Sequence, residues 1–304
     1  MRADVAPFRF VVSLPRCRGS CARRTDSCAF QVAWAINPHM RVGAVEARHA
    51  VRQHDTFVRA LEAAGAVVLP VPFVHGAFDS VFSKDNAVLV ERDHGALEAL
   101  LARPRHSERR MEQRARATAL SALGVDVSAT AEAPLEGGDI VMLPGANGAF
   151  LGHGFRSSHR AAADLERFLD RDVTAVELCD PRLYHLDMAL SVLDDGTALV
   201  CDEALTDAGR RAVERHDGVT SILHVPLEEA LHFGVNLVQV GKTLVWGADA
   251  PATTRALESR GYHVHRVALD QFHHAGGSAA CLVSRIHAQS AGESLSDAPR
   301  STAA

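Results

Sequence analysis

Residues 188–226 read MALSVLDDGTALVCDEALTDAGRRAVERHDGVTSILHVP, and this stretch sets the fold. Two short β-like runs, MALSVL and ALVC, flank the turn Asp194-Asp195-Gly196; a helical stretch near Asp207 to Glu214 follows, and SILHVP closes as a third strand. The same order recurs along the chain about five times. FQVAWAI precedes a helix over Val45 to Ala64 and then AVVLPVP; VFSKDNAVLVE precedes a helix near Arg109 to Leu123 and VDVSAT. GGDIVML and AFLGHG lead to a helix near His159 to Phe168 and VTAVEL, while VNLVQVG and TLVWGA lead to a helix near Ala252 to Gly261 and HVHRVAL, with CLVSRI as a closing strand. Strands alternating with helices usually indicate a doubly wound parallel sheet. Here the strands come in pairs joined by short turns before most helices, which favours repeated units arranged radially about a central cavity.

Composition bounds the function. With 304 residues, 47% apolar content and a net charge of -5, the chain can bury a full core and has no electrostatic case for binding nucleic acid. No apolar run reaches the roughly 18 to 20 residues that a spanning helix needs, so no membrane partner is expected. We expect a catalytic domain over residues 30–287, preceded by a basic, cysteine-containing segment (1–29) that holds a first strand. Residues 288–304, where apolar periodicity is lost, are expected to be disordered. Cys17, Cys21 and Cys28 are spaced C-x3-C-x6-C with no second pair at zinc-ribbon spacing, which reads as a loop carrying thiols. Cys179, Cys201 and Cys281 lie far apart in or beside apolar segments, as in reduced intracellular proteins, and the cytoplasm is the expected location.

The residues that can carry chemistry stand at the ends of the β-like runs. Cys281 follows Gly276-Gly277-Ser278 and opens a strand; His185 and Asp187 sit in YHLD, where an extended backbone would put both on one face; Asp85 lies in FSKDNAV and Glu136 just before a Gly-Gly turn. Singly, each has a plain structural reading: a buried small hydrophobe for Cys281, a strand end for His185, turn residues for the acids. Jointly they supply a nucleophile, a proton shuttle and three anions. A thiol needs a cation or a base to ionise, and clustered carboxylates need a cation to neutralise them; a guanidinium satisfies both demands.

EGGD, HLD and GGSAAC, in this order with the cysteine near the C-terminus, resemble the guanidino-group-modifying enzyme superfamily, which includes dimethylarginine dimethylaminohydrolases, arginine deiminases and amidinotransferases. The resemblance runs from about Phe30 to Ile286. It implies an α/β fold, a five-bladed propeller, with Cys281 as nucleophile, His185 as general acid and base, Glu136 orienting that histidine, and Asp85 and Asp187 gripping the guanidinium. By position, Arg109 resembles the arginine that holds the substrate carboxylate, and Arg156 another substrate-side arginine. No cofactor and no metal are implied; the partner is a small guanidino substrate, and a homodimer is allowed.

Length favours the dimethylarginine hydrolases, which would release citrulline and an amine through a covalent thiouronium. Two departures stand against this: well-known members of that group carry Lys where this chain has Asp187, and Glu-Asp where it has Lys84-Asp85. An arginine deiminase, or an amidinotransferase using the same intermediate, are the alternatives. Superfamily members that take arginine on to ornithine tend to carry Asn in place of Asp85, so a single C–N cleavage is expected. A different class, a metal or ligand binder using the N-terminal cysteines and His273-His274, is disfavoured because neighbouring histidines on a strand point to opposite faces.

Overall fold

The computed structural model describes residues 8–17, 28–145 and 147–288. The expected disordered tail, apart from residue 288, and Cys21 lie outside the described residues. The strands are β1 (Arg9–Ser13), β2 (Val67–Val71), β3 (Ala87–Glu91), β4 (Leu97–Leu101), β5 (Val125–Thr130), β6 (Ile140–Met142), β7 (Ala149–His153), β8 (Val173–Glu177), β9 (Leu190–Val192), β10 (Thr197–Val200), β11 (Ser221–His224), β12 (Leu237–Val240), β13 (Thr243–Trp246), β14 (His263–Arg266) and β15 (Val283–Ala288). The main helices are α1 (Ala47–Ala63), α2 (Arg110–Ala122), α3 (Ala161–Leu169), α4 (Asp207–Glu214), α5 (Leu227–Leu231), α6 (Pro251–Glu258) and α7 (Asp270–His273).

One pairing scheme repeats through this mixed α/β fold. A middle strand runs antiparallel to the strand on its inner side and parallel to the strand that returns after a helix: β9-β10-β11, β12-β13-β14 and β6-β7-β8 form separate three-stranded sheets. The units β15-β1-β2 and β3-β4-β5 follow the same scheme and fuse through parallel pairing of β15 with β3, Ile286 opposite Leu89, into a six-stranded sheet. The inner strands β3, β6, β9, β12 and β15 all contribute to the lining of a single cavity of about 140 Å³. Their leading ends therefore converge.

The helices are held by their apolar faces. In α1 the buried positions Ala50, Gln53, His54, Phe57, Ala60 and Leu61 follow the 3.6-residue period. Full burial of Phe57 and Leu61 contributes roughly 2 to 3 kcal/mol each. His54 Nε2 lies 2.9 Å from the Ser13 carbonyl and ties the helix to β1; burial lowers its pKa to about 4, so it stays neutral. No helix among the described residues is long and apolar enough to cross a membrane.

Three local expectations are corrected. FQVAWAI forms no strand: β1, within the segment expected to hold a first strand, occupies the sheet position between β15 and β2, and Phe30 and Val32 bury as loop residues in the same core. The boundary expected at residue 30 thus separates β1 from its unit in sequence, while in space β1 is that unit's middle strand. YHLD is not extended throughout, because Leu186–Met188 forms a 3-10 turn after an extended His185. Asp85 and Cys281 likewise sit in 3-10 turns, Ser83–Asn86 and Ala280–Leu282, one step ahead of β3 and β15 rather than within strands.

Gly148, in the turn joining β6 and β7, has φ +83°, and a Cβ there would lie 2.1 Å from the Asp172 carbonyl oxygen. Gly148→Ala is predicted to cost about 2 kcal/mol or more through left-handed strain and the clash. Urea unfolding measures this, and an unchanged midpoint would show that the turn relaxes freely.

Candidate active site

Four of the five inner strands are entered through a 3-10 turn and the fifth, β12, through the turn at Asn236; these turns carry the polar side chains. In three of the four 3-10 turns the next residue, Ala87, Ile140 or Val283, is already extended and leads directly into the strand. The sequence-derived candidates meet where the inner strands converge: Asp85, Arg109, Arg156, His185 and Cys281 line one narrow pocket with Asp79 and Gly277. Glu136 lies immediately behind His185, and Asp187 lies on the far side of Cys281. All seven candidates are buried.

Glu136 is completely buried and fully partnered. Its Oε2 accepts from Arg156 Nη1 at 2.8 Å and lies 3.0 Å from His185 Nε2; its Oε1 accepts the Arg105 backbone N–H at 3.0 Å. These contacts, led by the His185 hydrogen bond and Arg156, hold its carboxyl well below the ordinary range despite burial. His185 moves the other way, to about 9: burial opposes the charge, but Asp85, Asp139 and Glu136 outweigh it. With Nε2 committed to Glu136, Nδ1 faces Asp85 Oδ1 at 3.8 Å. Gly138 is required beside this pair, since a Cβ there would lie 2.5 Å from His185 Nδ1 and 2.8 Å from Asp85 Oδ1.

Asp85 accepts the Gly138 backbone N–H at 2.9 Å through Oδ1 and Arg109 Nη1 at 2.5 Å through Oδ2. Arg109 also donates twice to Glu112, at 2.9 and 2.8 Å, and once to the Asp79 carbonyl, so its guanidinium is engaged by the protein itself. Arg156 divides its donors between Glu136 and the Ile36 carbonyl and stacks over the Tyr184 ring at 4.7 Å. Asp85, Glu136 and His185 place ligand atoms within 4.8 Å of one another, as a metal site would. Arg109 and Arg156 already neutralise the two carboxylates.

Cys281 is 4% exposed, with Sγ 3.8 Å from Asp187 Oδ2. Burial, then Asp187 and Asp85, push its thiol well above the ordinary value, against a smaller opposing effect of the Ser278 backbone amide and Lys84. Lys84 Nζ sits 3.0 Å from Asp187 Oδ2. The two departures noted in the sequence, at residues 84 and 187, are therefore the two sides of one contact, with the charges exchanged. Asp187 Oδ1 is buried without a hydrogen-bond partner, and so is Asp79 Oδ1, whose Oδ2 accepts Trp34 Nε1 at 2.6 Å. Burial raises Asp79 to about 6.

Sequence reasoning missed several residues. Asn236, completely buried, accepts the Ala280 N–H through Oδ1 at 2.9 Å, which fixes the amide so that Nδ2 donates toward Cys281 Sγ at 3.3 Å and the Asp187 carbonyl at 3.2 Å. Its signal was positional: it precedes β12 as Asp85 precedes β3 and Cys281 precedes β15. Asp139, the last residue of EGGD, accepts the Ser157 and Leu186 backbone N–H groups at 2.9 and 3.0 Å and so locks two turns together. Glu112 and Arg116, one helical turn apart on the inner face of α2, clamp Asn86 from both ends of its amide, at 2.7 and 2.8 Å. Charged residues on the buried side of an amphipathic helix were the available clue.

The sequence matches the profile described as N,N dimethylarginine dimethylhydrolase, eukaryotic, over residues 32–288. It is 32% identical to the N(G),N(G)-dimethylarginine dimethylaminohydrolase of Mycobacterium tuberculosis, covering 88% of this chain and 89% of that one. It is 28% identical to AgrE, the bifunctional arginine dihydrolase/ornithine cyclodeaminase of Nostoc, over 84% of this chain and 36% of that protein. Among solved structures, the substrate-bound N-terminal domain of a mutant ArgZ, a cyanobacterial arginine dihydrolase, superposes with a TM-score of 0.83 at 25% identity, over 93% of this chain and 99% of that one.

Removing the Asn236 donor in Asn236→Ala should move the pH profile of Cys281 alkylation upward by about one unit or more, the equivalent of a hydrogen bond to a charged group worth roughly 1.5 to 3 kcal/mol. An unmoved profile would mean that Asn236 does not act on the thiolate. The raised pKa of His185 contributes stability that is complete below about 6.5, its unfolded-state value, and is lost as pH rises through about 9, on the order of 3 kcal/mol in all. His185→Gln should therefore flatten the fall in urea stability between about pH 7 and 10; an equal fall in both proteins would show that the imidazole is neutral in the folded state.

Proposed function

The chain belongs to the N,N dimethylarginine dimethylhydrolase family, and on that premise we propose that it hydrolyses the guanidino C–N bond of Nω-methylated arginine, releasing citrulline and the methylated amine. The observation that carries the reading is the position of Cys281 beside Asp187, whose Oδ1 is buried and unpartnered. That oxygen is an acceptor that a guanidinium N–H would satisfy. In this reading the five three-stranded units are the blades of a propeller, and the site lies where the inner strands converge.

The substrate guanidinium sits between Asp85 and Asp187, which localise its delocalised charge and expose the central carbon. Its arrival supplies the cation that the Cys281 thiol lacks, so the thiol ionises and releases its proton to solvent only with substrate bound. The thiolate then attacks the central carbon. His185, charged and held through Nε2 by Glu136, delivers the Nδ1 proton to the departing amine as the C–N bond breaks, leaving a thiouronium on Cys281. Now neutral, His185 takes a proton from water; the hydroxide adds to the same carbon, the C–S bond breaks with the hydroxyl proton passing to the departing sulfur, and citrulline leaves the restored thiol. Asn236 donates to the attacking and to the departing sulfur.

The charged groups of the pocket also bear on an amino-acid substrate. Arg109 and Arg156 are the cations available to a carboxylate, and the unpartnered Oδ1 of Asp79 is an acceptor available to an ammonium. Arg109 is committed to Asp85 and Glu112, so carboxylate binding requires it to share or exchange those partners.

Free arginine is the second reading, supported by the likeness to ArgZ and AgrE. Full-length protein given arginine, monomethylarginine and asymmetric dimethylarginine in parallel should form citrulline fastest from the methylated substrates, with Cys281→Ser lowering turnover by about a thousandfold or more. Asp187→Ala should raise KM and lower kcat together. Preference for free arginine, or ornithine as product, would replace the proposed reaction with a deiminase or dihydrolase; citrulline from Cys281→Ser would remove Cys281 as nucleophile.

A further inference from the structure

Away from the pocket, the fold brings together residues that the sequence separates. Cys17 and Cys28 close a loop: Cys17 N–H donates to the Cys28 carbonyl at 2.8 Å, Phe30 N–H to the Pro15 carbonyl at 2.8 Å, and Arg16 bridges Ala29. The turn that follows β2 then delivers His75, 47 residues downstream of Cys28, with Nδ1 3.3 Å from Cys28 Sγ. One ligand atom each from Cys17, Cys28 and His75 lie within 4.8 Å of one another.

We propose that Cys17, Cys28 and His75 bind a zinc ion that fastens the N-terminal segment to the turn following β2. A tetrahedral zinc with bonds of about 2.3 Å to sulfur and 2.0 Å to nitrogen holds sulfur and nitrogen about 3.5 Å apart and two sulfurs about 3.8 Å apart; the 3.3 Å between Cys28 Sγ and His75 Nδ1, and the 4.8 Å that bounds all three ligand atoms, admit such an ion after small adjustments. Two thiolates and an imidazole select a borderline-soft ion over magnesium or calcium. Binding is a proton exchange, each cysteine S–H releasing its proton to solvent as the metal–sulfur bond forms.

The placement gives the ion a structural task. Chain leaving Cys28 runs on to Ile36, Asn37 and Met40, and chain leaving His75 runs on to Asp79, all four of which line the pocket. One tie at the far end of both segments fixes the two walls relative to each other.

The full chain, produced with zinc in the medium and purified in reducing buffer, should retain about one zinc per molecule through dialysis. Zinc should persist in Cys281→Ser and fall below about a tenth in Cys28→Ser and His75→Ala. Should those variants fail to fold, cobalt exchanged into the wild-type protein provides the second reading: a thiolate-to-cobalt absorption band in the near ultraviolet supports the site, and its absence overturns it. Failure to bind zinc, retention of zinc in both variants, loss of zinc in Cys281→Ser, or a Cys17–Cys28 disulfide in the reduced preparation would each overturn it. None of these readouts depends on turnover, so the proposed reaction and the zinc site stand or fall separately.

Discussion

A carboxylate removed from water is the constraint around which the rest is arranged. Glu136 has no exposed surface, and an ion so placed costs several kcal/mol unless charge and hydrogen bonds replace its hydration. Its partners come from separated parts of the chain: the Arg105 amide beyond β4, Arg156 beyond β7 and His185 ahead of β9. The carboxylate is satisfied only when these units are packed together. Asp139 repeats the device three residues on, joining the Ser157 and Leu186 turns through its two oxygens. Structure and chemistry share these residues, so the groups that align the imidazole also hold the units in register.

The same logic runs through α2. Arg109 and Arg116 enter the interior with Glu112 between them, and Asn86 closes the network under Asp85. Long side chains confined this way lose rotamer freedom as part of folding rather than on ligand binding, which leaves Asp85 held in place before any substrate arrives. Lys84 does the corresponding work for one oxygen of Asp187. Positions 84 and 187, where the resemblance implied an acid and a lysine, carry Lys and Asp here and form a neutral pair with the anion 3.8 Å from Cys281 Sγ.

Against this background of satisfied groups, the exceptions are informative. Among the described residues, four buried side-chain polar atoms lack partners, and two of them, on Asp79 and Asp187, belong to carboxylates around the pocket. An unpaired buried acceptor is a standing cost, recovered when a donor arrives. The buried thiol of Cys281 is the third unfinished group, raised in pKa by burial and by its acidic neighbours and therefore dependent on an added cation. Fold stability and reactivity are thus opposed at the pocket and aligned everywhere around it.

The amino-acid sequence determined the repeated strand, strand, helix, strand order, because hydrophobic period and turn residues are local properties, and it singled out Asp85, Glu136, His185, Asp187 and Cys281 because their residue types flank the inner strands. It also supported Arg109 and Arg156, although only by resemblance. The tertiary structure decided that β1 rather than Phe30 to Ile36 occupies the sheet, since the position between β15 and β2 admits one strand. It alone showed that Asn236 reaches the sulfur, that Lys84 and Asp187 are one pair, and that His75 joins Cys17 and Cys28. These are contacts between side chains tens to hundreds of residues apart. A sequence carries no term for such distances until the inner strands converge and burial forces each polar atom to find a partner.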